Sequence, residues 1–431
     1  MPETKMTTLT LQDNWRAGLP QQILPWLPLT LFFPVGVMYA GVLLFYIGFI
    51  ISGDYGQKWQ RVRSSPMLRP VLALSVISIL ISLLQEWPKG EFWFGFWLYQ
   101  TYLFLFVFLA VGAGAWQKKA QNIFFAGAIY ASTVYYLNDF GYLPDAKLFR
   151  SYIEYKGNKS ILLGILLALA AGWMMSVWRW QKNHHVWRAA ALLYVVSALF
   201  LMAKTRTAIL IFLLLVGLML FRNFTFTWRK LLVLAIAFAL IAAGINYLAK
   251  VPAPATCLVS AMRDANMNSA EVMLTRSVCT VHQVRDFNKG EKVEADGLRL
   301  EIYKNTWELI VEKPLLGHGI ANWMPLYQAK TKGLISDEMT TPHNEYLLYW
   351  TELGVFGMLA LIWIWLKQLI VARQMTAGEH HESAMLLAML GATMILTGSF
   401  NAALRDALFG MAFMILLAIP LAGVQKQQAQ H

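Results

Sequence analysis

Apolar stretches long enough to cross a lipid bilayer recur along almost the whole chain. A helix needs ~20 consecutive, mostly apolar residues to span the hydrocarbon core. Of the 431 residues, 58% are hydrophobic and only 14% are charged, whereas soluble domains carry about 25% charged residues. A water-soluble body could not cover this much apolar surface. The sequence therefore predicts an all-α polytopic membrane protein.

The apolar segments divide the chain into about twelve transmembrane helices. We predict them over residues 23–35, 36–52, 70–84, 92–115, 123–137, 160–177, 186–203, 208–221, 228–249, 344–366, 383–399 and 407–424. This layout gives three regions: 1–249 with about nine spans, one large loop at 250–342, and 343–431 with about three spans. Residues 1–22 are polar and do not read as a cleavable signal peptide, so we expect the spans themselves to drive insertion.

Basic residues indicate how the chain is oriented, because cytoplasmic loops are enriched in Lys and Arg. Those that fall in alternate short loops are Lys58, Arg61, Arg63, Arg69, Lys118, Lys119, Arg179, Lys182, Arg188, Arg222, Arg229, Lys230, Lys367, Arg373 and Lys426. The pattern predicts a bacterial inner-membrane protein with cytoplasmic termini and a large, mainly helical periplasmic loop. It also explains much of the net charge of +12, so we expect membrane lipids and no nucleic acid as partners.

Both cysteines of the chain, Cys257 and Cys279, lie in the large loop. An oxidising periplasm permits a disulfide there. Closing a loop of about twenty residues would contribute roughly 3 kcal/mol through the entropy of the unfolded chain. Two unpaired thiols are the alternative, and we favour the disulfide.

A second set of cations lies on the predicted periplasmic side, against the orientation rule. These residues are Lys204, Arg206, Arg405, Lys147, Arg150, Lys156 and Lys159. Arg offers a planar fork of donors that matches phosphate, and Lys adds a point charge, so the set suits a pyrophosphate-bearing lipid. Simpler alternatives are interfacial snorkelling of Arg206 and an ion pair between Arg405 and Asp406. The predicted periplasmic side has no carboxylate or histidine cluster with ligand spacing, so we predict no metal and no other cofactor.

His343 stands at the predicted start of a transmembrane helix, in the sequence TTPHNE. Thr341 suits the N-cap and Pro342 the first helical position, which would place His343 in the first turn. The helix dipole disfavours an imidazolium there, and a neutral imidazole is what a general base requires. The alternative is a hydrogen-bonded interfacial histidine without a catalytic role. His282 and His318 are the other periplasmic candidates.

Three segments, in this order, resemble the shared domain of O-antigen ligases and O-antigen polymerases. Residues 204–210 (KTRTAIL) are similar to its short Arg-containing motif. Residues 299–319 (RLEIYKNTWELIVEKPLLGHG) are similar to its second block, an aromatic-bearing helix that ends in Pro-Leu-Leu-Gly-x-Gly. His343-Asn344, followed by Leu347, matches its His-Asn-x-x-Leu element.

The resemblance implies a C-type glycosyltransferase whose donor is a glycan linked to polyprenyl pyrophosphate. In such enzymes His343 would act on the acceptor hydroxyl, and Arg206 and Arg299 would hold the pyrophosphate, with the other periplasmic cations as weaker candidates. The compact length and the single large loop favour an O-antigen ligase. Its donor would be undecaprenyl-pyrophosphate-linked O-antigen and its acceptor the lipid A-core of lipopolysaccharide. We expect inverting transfer without a metal.

Other acceptors and another class of protein stay open at this point. A glycan repeat as acceptor would imply an O-antigen polymerase, and a protein hydroxyl would imply an O-oligosaccharyltransferase. A transporter or flippase of lipid-linked sugars would also need basic residues in a membrane body. It would not need a histidine at a helix start or an ordered loop on one side. The internal repeats that are common in transporters are not visible in the sequence.

Overall fold

The computed structural model describes residues 15–85, 91–153, 158–178, 185–203, 205–220, 227–254, 257, 267, 269–286, 295–375, 381–404 and 406–428. Every regular element in these ranges is a helix, which confirms the all-α prediction. The apolar character of several of these helices fits a polytopic membrane protein.

Nineteen α-helices occur in the described ranges, together with one 3₁₀ turn (Leu24–Trp26) and one π-helical turn (Ala198–Met202). They are α1 (Trp15–Ile23), α2 (Leu27–Thr30), α3 (Val35–Ile51), α4 (Tyr55–Arg63), α5 (Leu68–Leu84), α6 (Phe92–Tyr99), α7 (Leu103–Leu109), α8 (Trp116–Asp139), α9 (Arg150–Ile153), α10 (Asn158–Trp178), α11 (His185–Ser197), α12 (Arg206–Leu220), α13 (Trp228–Lys250), α14 (Ser269–Asp286), α15 (Ala295–Glu312), α16 (Trp323–Lys330), α17 (Glu345–Met375), α18 (His381–Phe400) and α19 (Ala407–Gln428).

Length and composition identify four of these helices as able to cross a membrane on their own: α10, α13, α17 and α18. Two bent pairs raise the number to six if each pair is one span. The angle is 116° between α3 and α4 and 46° between α6 and α7. Shorter apolar helices occur at α5, at residues 186–202, in α12 and in α19. The number of about twelve spans stays a prediction.

The predicted spans at 23–35 and 92–115 are each broken. The first consists of a 3₁₀ turn and the short helix α2, and it is irregular before Pro34. Pro25 and Pro28 each stand in the first turn of one of these pieces, because proline suits a helix start but cannot continue the preceding helix. The second divides into α6 and α7. In contrast, α8 and α17 extend beyond the ends predicted for them.

The core is built around α10. Most of its side chains are buried, and it packs against α8, α11, α12 and α18. Helix α17 packs against α18 and α5, and α15 packs against α14 and α17. Helix α13 differs, because most of its apolar side chains are exposed. The bundle therefore surrounds α10, and α14 and α15 belong to the segment that precedes α17.

Several contacts join segments that are distant in sequence. Tyr152 donates to the carbonyl of Phe32 (2.7 Å), and His343 contacts Asn401. The predicted cytoplasmic loops are joined through Arg61 to the carbonyls of Ala110 and Val111 (3.0 Å each) and through Lys118 to Glu382 (3.8 Å). Each of these contacts joins segments predicted to lie on the same side of the membrane. Which face is periplasmic stays a prediction.

Helix α17 is broken at Gly354, whose φ is +68° and ψ −172°. The segment that follows α15 bonds to the break. The N–H groups of His318 and Gly319 donate to the carbonyls of Thr351 (2.7 Å) and Glu352 (2.9 Å). Val355 donates its N–H to the carbonyl of Pro314 (3.0 Å). The segment thus replaces helical hydrogen bonds that the break removes.

The break also depends on close backbone contact. A β-carbon on Gly354 would lie 2.0 Å from the carbonyl oxygen of Leu315. Gly317 has a φ of +71°, and a β-carbon there would lie 2.5 Å from the Gly354 nitrogen. Glycine is therefore required on both sides of this contact. The Pro-Leu-Leu-Gly-x-Gly ending, noted in the sequence, has a structural role here.

We predict that Gly354→Ala destabilises the protein more than Gly333→Ala does. Both residues have positive φ, which costs an L-residue about 1–3 kcal/mol. A β-carbon at Gly333 meets no atom within 4 Å, whereas one at Gly354 overlaps backbone and adds about 1–3 kcal/mol of overpacking. Thermal unfolding in detergent measures the difference. Equal losses for the two variants would contradict the close contact at the break.

Candidate functional site

His343 lies just before α17 in a left-handed backbone conformation, with a φ of +49°. The helix begins at Glu345, and its N-cap is Asn344, whose side-chain oxygen accepts the N–H of Leu347 (3.0 Å). The predicted N-cap at Thr341 and first helical position at Pro342 are therefore wrong. Asn344 competes better because its side chain reaches the third N–H of the helix.

Hydrogen bonds to two other segments and to the neighbouring Thr341 fix His343. Its Nδ1 lies 3.3 Å from Oδ1 of Asn401. Its carbonyl oxygen accepts a hydrogen bond from the hydroxyl of Tyr303 (3.2 Å), and its N–H donates to Oγ1 of Thr341 (3.3 Å). A φ near +50° is uncommon for residues other than glycine. The contacts of Tyr303 and Thr341 hold this backbone conformation, and Asn401 faces the ring.

The electrostatic surroundings of His343 favour the neutral form of its ring. Burial is the larger cause and the nearby Arg299 guanidinium the second, and together they lower the pKa of His343 below its usual 6.5, against a smaller opposite effect of Asn401. The direction agrees with the expectation from sequence. The cause differs, because desolvation and a cation, rather than a place in the first helical turn, disfavour the imidazolium.

Helix α15 brings Arg299 to His343. Tyr303 follows Arg299 by one helical turn, and its hydroxyl donates to the carbonyls of His343 and Ser399 (3.3 Å for the latter). Burial raises the pKa of Tyr303, so its hydroxyl stays protonated and can donate. The second and third sequence motifs therefore meet in space through α15 and the start of α17.

Arg206 begins α12 and contacts α14. Its guanidinium donates to the carbonyl of Arg276 (3.0 Å) and to the hydroxyl of Thr280. A π-helical turn, Ala198–Met202, ends shortly before it, and such turns often mark functional positions. The contacts with α14 set the direction of the guanidinium plane.

A disulfide holds α14 close to the end of α13. Cys257 and Cys279 are joined, with their Cα atoms 5.8 Å apart. Nε2 of His282, one turn further along α14, lies 2.8 Å from the carbonyl oxygen of Val251. Because Thr280 is next to Cys279, the bridge anchors the part of α14 that contacts Arg206.

Three of the remaining predicted cations, Lys147, Arg150 and Lys159, lie among the described residues. Lys159 is buried, and its ammonium group donates to the carbonyl of Leu31, so in this structure it ties α10 to the segment before α3. Lys147 and Arg150 are exposed. Lys204, Lys156 and Arg405 lie outside the described residues. The alternative ion pair of Arg405 with Asp406 therefore lies outside them too.

The two other histidine candidates contact backbone. Besides its contact with Val251, His282 has Nδ1 2.9 Å from a guanidinium nitrogen of Arg285. His318 has Nε2 2.7 Å from the carbonyl of Leu309. These contacts serve the packing of the large loop. Among the residues that the structure describes, no three His, Cys, Asp or Glu side chains group closely enough to hold a metal ion.

Two residues of the site were not singled out from the sequence. Tyr303 could have been found, because it lies four residues after Arg299 on a predicted helix and so on the same face. Asn401 gave no such signal. It is 58 residues from His343 along the chain, and a lone Asn in a turn is commonplace.

A family model described as O-antigen ligase matches residues 190–362. This segment belongs to the O-antigen ligase family. The match begins in α11, ends in α17 and contains Arg206, Arg299 and His343, so the predicted family is confirmed. No curated protein matches the chain.

Proposed function

We propose that the protein is an O-antigen ligase that transfers glycan from undecaprenyl pyrophosphate to the lipid A-core of lipopolysaccharide. The family implies glycosyl transfer of the O-antigen ligase or polymerase type, with a lipid-linked glycan as donor in general. The observation that carries the proposal is the arrangement around His343, where Asn401 faces Nδ1 and Tyr303, one turn from Arg299 on α15, donates to the His343 carbonyl. Burial and the Arg299 guanidinium lower the pKa of His343 and so favour its neutral imidazole. A base and a cation side by side suit deprotonation of a hydroxyl and departure of an anion.

In the proposed reaction His343 accepts the proton of the acceptor hydroxyl. Oδ1 of Asn401 faces Nδ1, and a proton held on Nδ1 leaves Nε2 as the basic nitrogen. The acceptor oxygen then attacks the anomeric carbon from the side opposite the pyrophosphate. The bond between that carbon and the pyrophosphate oxygen breaks, the oxygen keeps the electron pair, and the configuration inverts.

Arg299 and Arg206 are proposed to stabilise the undecaprenyl pyrophosphate that leaves. Fixed cations aimed at a developing negative charge contribute most when water is excluded. Arg299 is held on α15 near His343, and Arg206 is directed by its contacts with α14. Because the two arginines are held by different helices, each can contact one phosphate of a leaving group that carries two. The site is proposed to face the periplasm, on the side opposite the basic short loops.

We predict that substitution of the base lowers transfer alone, whereas substitution of the cations also weakens donor binding. His343→Ala should lower glycan transfer by about 10²–10⁴-fold and leave donor binding nearly intact. Arg206→Ala and Arg299→Ala should weaken donor binding and lower turnover by roughly 10²-fold. Arg206→Lys should recover little, because an ammonium group cannot reproduce the planar fork. Transfer and donor binding are measured on the reconstituted protein with lipid-linked glycan and lipid A-core.

The control for this experiment is Lys332→Ala, an exposed cation of the large loop that is not a site candidate and whose change should alter neither quantity much. Near-normal turnover of His343→Ala would exclude it as the base. Parallel reactions with lipid-linked glycan alone or with a protein acceptor test the specificity. Chain elongation without lipid A-core would identify a polymerase instead.

The pH dependence follows from the lowered pKa of His343. Since the neutral ring is the active form, transfer should fall on the acid side through a pKa below 6.5. Arg299→Gln removes a positive charge and should shift this acid limb to higher pH. Asn401→Ala removes a contact that favours the charged ring and should shift it to lower pH. Profiles of kcat/KM that move in the same direction would contradict this assignment.

Transfer is predicted to continue without divalent cations. In the proposed site Arg side chains do the work that a metal ion does at many pyrophosphate sites. Reconstituted protein treated with EDTA should therefore keep its rate. A reaction that stops in EDTA and recovers with Mg²⁺ or Mn²⁺ would remove the argument for an all-cationic site.

A further inference from the structure

One exposed face of α15 is apolar. Trp307 and Val311 are 49% and 60% exposed, and Leu315 and Leu316 beyond the end of the helix are 62% and 50% exposed. Residues 307, 311 and 315 are spaced four apart, so the first two lie on one side of the helix. We call the four residues the Trp307 stripe. All four are exposed apolar side chains of the large loop.

The neighbouring side of the same helix is polar. The ammonium group of Lys330, on α16, lies 3.1 Å from a carboxylate oxygen of Glu308 and 3.2 Å from one of Glu312. Glu308 and Glu312 alternate in sequence with the stripe residues but turn toward α16. Helix α15 therefore has an ion-paired flank on one side and an apolar flank on the other.

The Trp307 stripe continues onto a membrane-spanning helix. The rings of Trp307 and Trp350 meet edge to face, with centroids 5.4 Å apart, and the indole N–H of Trp350 donates to the carbonyl of Pro314 (3.0 Å). Trp350 lies five residues into α17, ~8 Å from its start at 1.5 Å per residue. Further along α17, Phe356 and Leu359 are each 51% exposed, as side chains that face lipid would be.

We propose that α15 lies at the boundary between lipid head groups and acyl chains, with the Trp307 stripe inserted in the bilayer. Tryptophan concentrates at this boundary, and helices with one apolar and one polar face bind there. Lys304, just before Trp307, and Lys313, just after the end of α15, are exposed, and their long side chains can carry the ammonium groups to phosphates. The partner is thus the lipid surface itself.

Continuity with α17 is the reason for choosing lipid over a protein partner. The exposed residues of a membrane-spanning helix meet lipid by default, and the stripe joins this helix at the Trp307–Trp350 contact. Insertion of α15 would also fix the height of Arg299 and Tyr303, which lie earlier on the same helix, near the phosphates of the bilayer. The proposal stands independently of the reaction proposed above.

The test measures the depth of spin labels on α15. The two cysteines are in a disulfide, so without reductant a nitroxide label attaches only to an introduced cysteine. Val311→Cys and Glu308→Cys are labelled separately in the full-length protein, in vesicles of phosphatidylethanolamine and phosphatidylglycerol. Oxygen and a water-soluble nickel chelate report contact with lipid and with water. Leu359→Cys on α17 gives the reference value for a lipid-facing site.

We expect the label at 311 to collide severalfold more with oxygen than with the chelate, as at 359, and the label at 308 to show the reverse. The two sites are within one helical turn, so a difference between them reports the face. Leu315→Cys is a second stripe site and should match 311. A chelate-accessible label at 311 and 315 would overturn the proposal. Low collision with both reagents there would also overturn it, in favour of a protein partner or a second copy of the chain.

Discussion

A break in a transmembrane helix creates backbone N–H and C=O groups that cannot be left unpaired in lipid, where each would cost several kcal/mol. At Gly354, in a helix long and apolar enough to cross a membrane, the chain meets this requirement with its own backbone. His318, Gly319 and Pro314 bond to the two sides of the break. The segment between α15 and α16 is thereby fixed to α17. The position of the large loop against α17 depends on these bonds.

The candidate site depends on the contact between α17 and the segment that follows α15. Helix α15 enters the fixed segment, so its earlier turns are directed toward the N-terminus of α17. There Tyr303 reaches the carbonyl of His343 and Arg299 approaches its ring. The left-handed backbone of His343 is an unfavourable conformation, of the kind that persists where surrounding contacts over-determine it and is common at functional sites.

Hydropathy was sufficient to predict most long helices, because burial in lipid selects apolar residues on every side of a span. It failed at 23–35, where Pro25 and Pro28 divide the apolar run into short pieces. The order of motifs was sufficient to associate Arg299 with His343. It could not give the left-handed conformation of His343, since Thr341-Pro342 also suits a helix start. Asn401 depends on the packing of α18 beside α17, which no local pattern encodes.

The separation in sequence of the contacting groups has a consequence for biosynthesis. Arg206 contacts residues 70 and 74 positions later in the chain, and His343 contacts one 58 positions later. A nascent chain that has inserted only as far as α17 therefore still lacks the group that faces the imidazole. Asn401 follows α18, so the site is complete only after the chain has been translated and inserted beyond that helix. An interrupted chain would hold the family's motifs but not their arrangement.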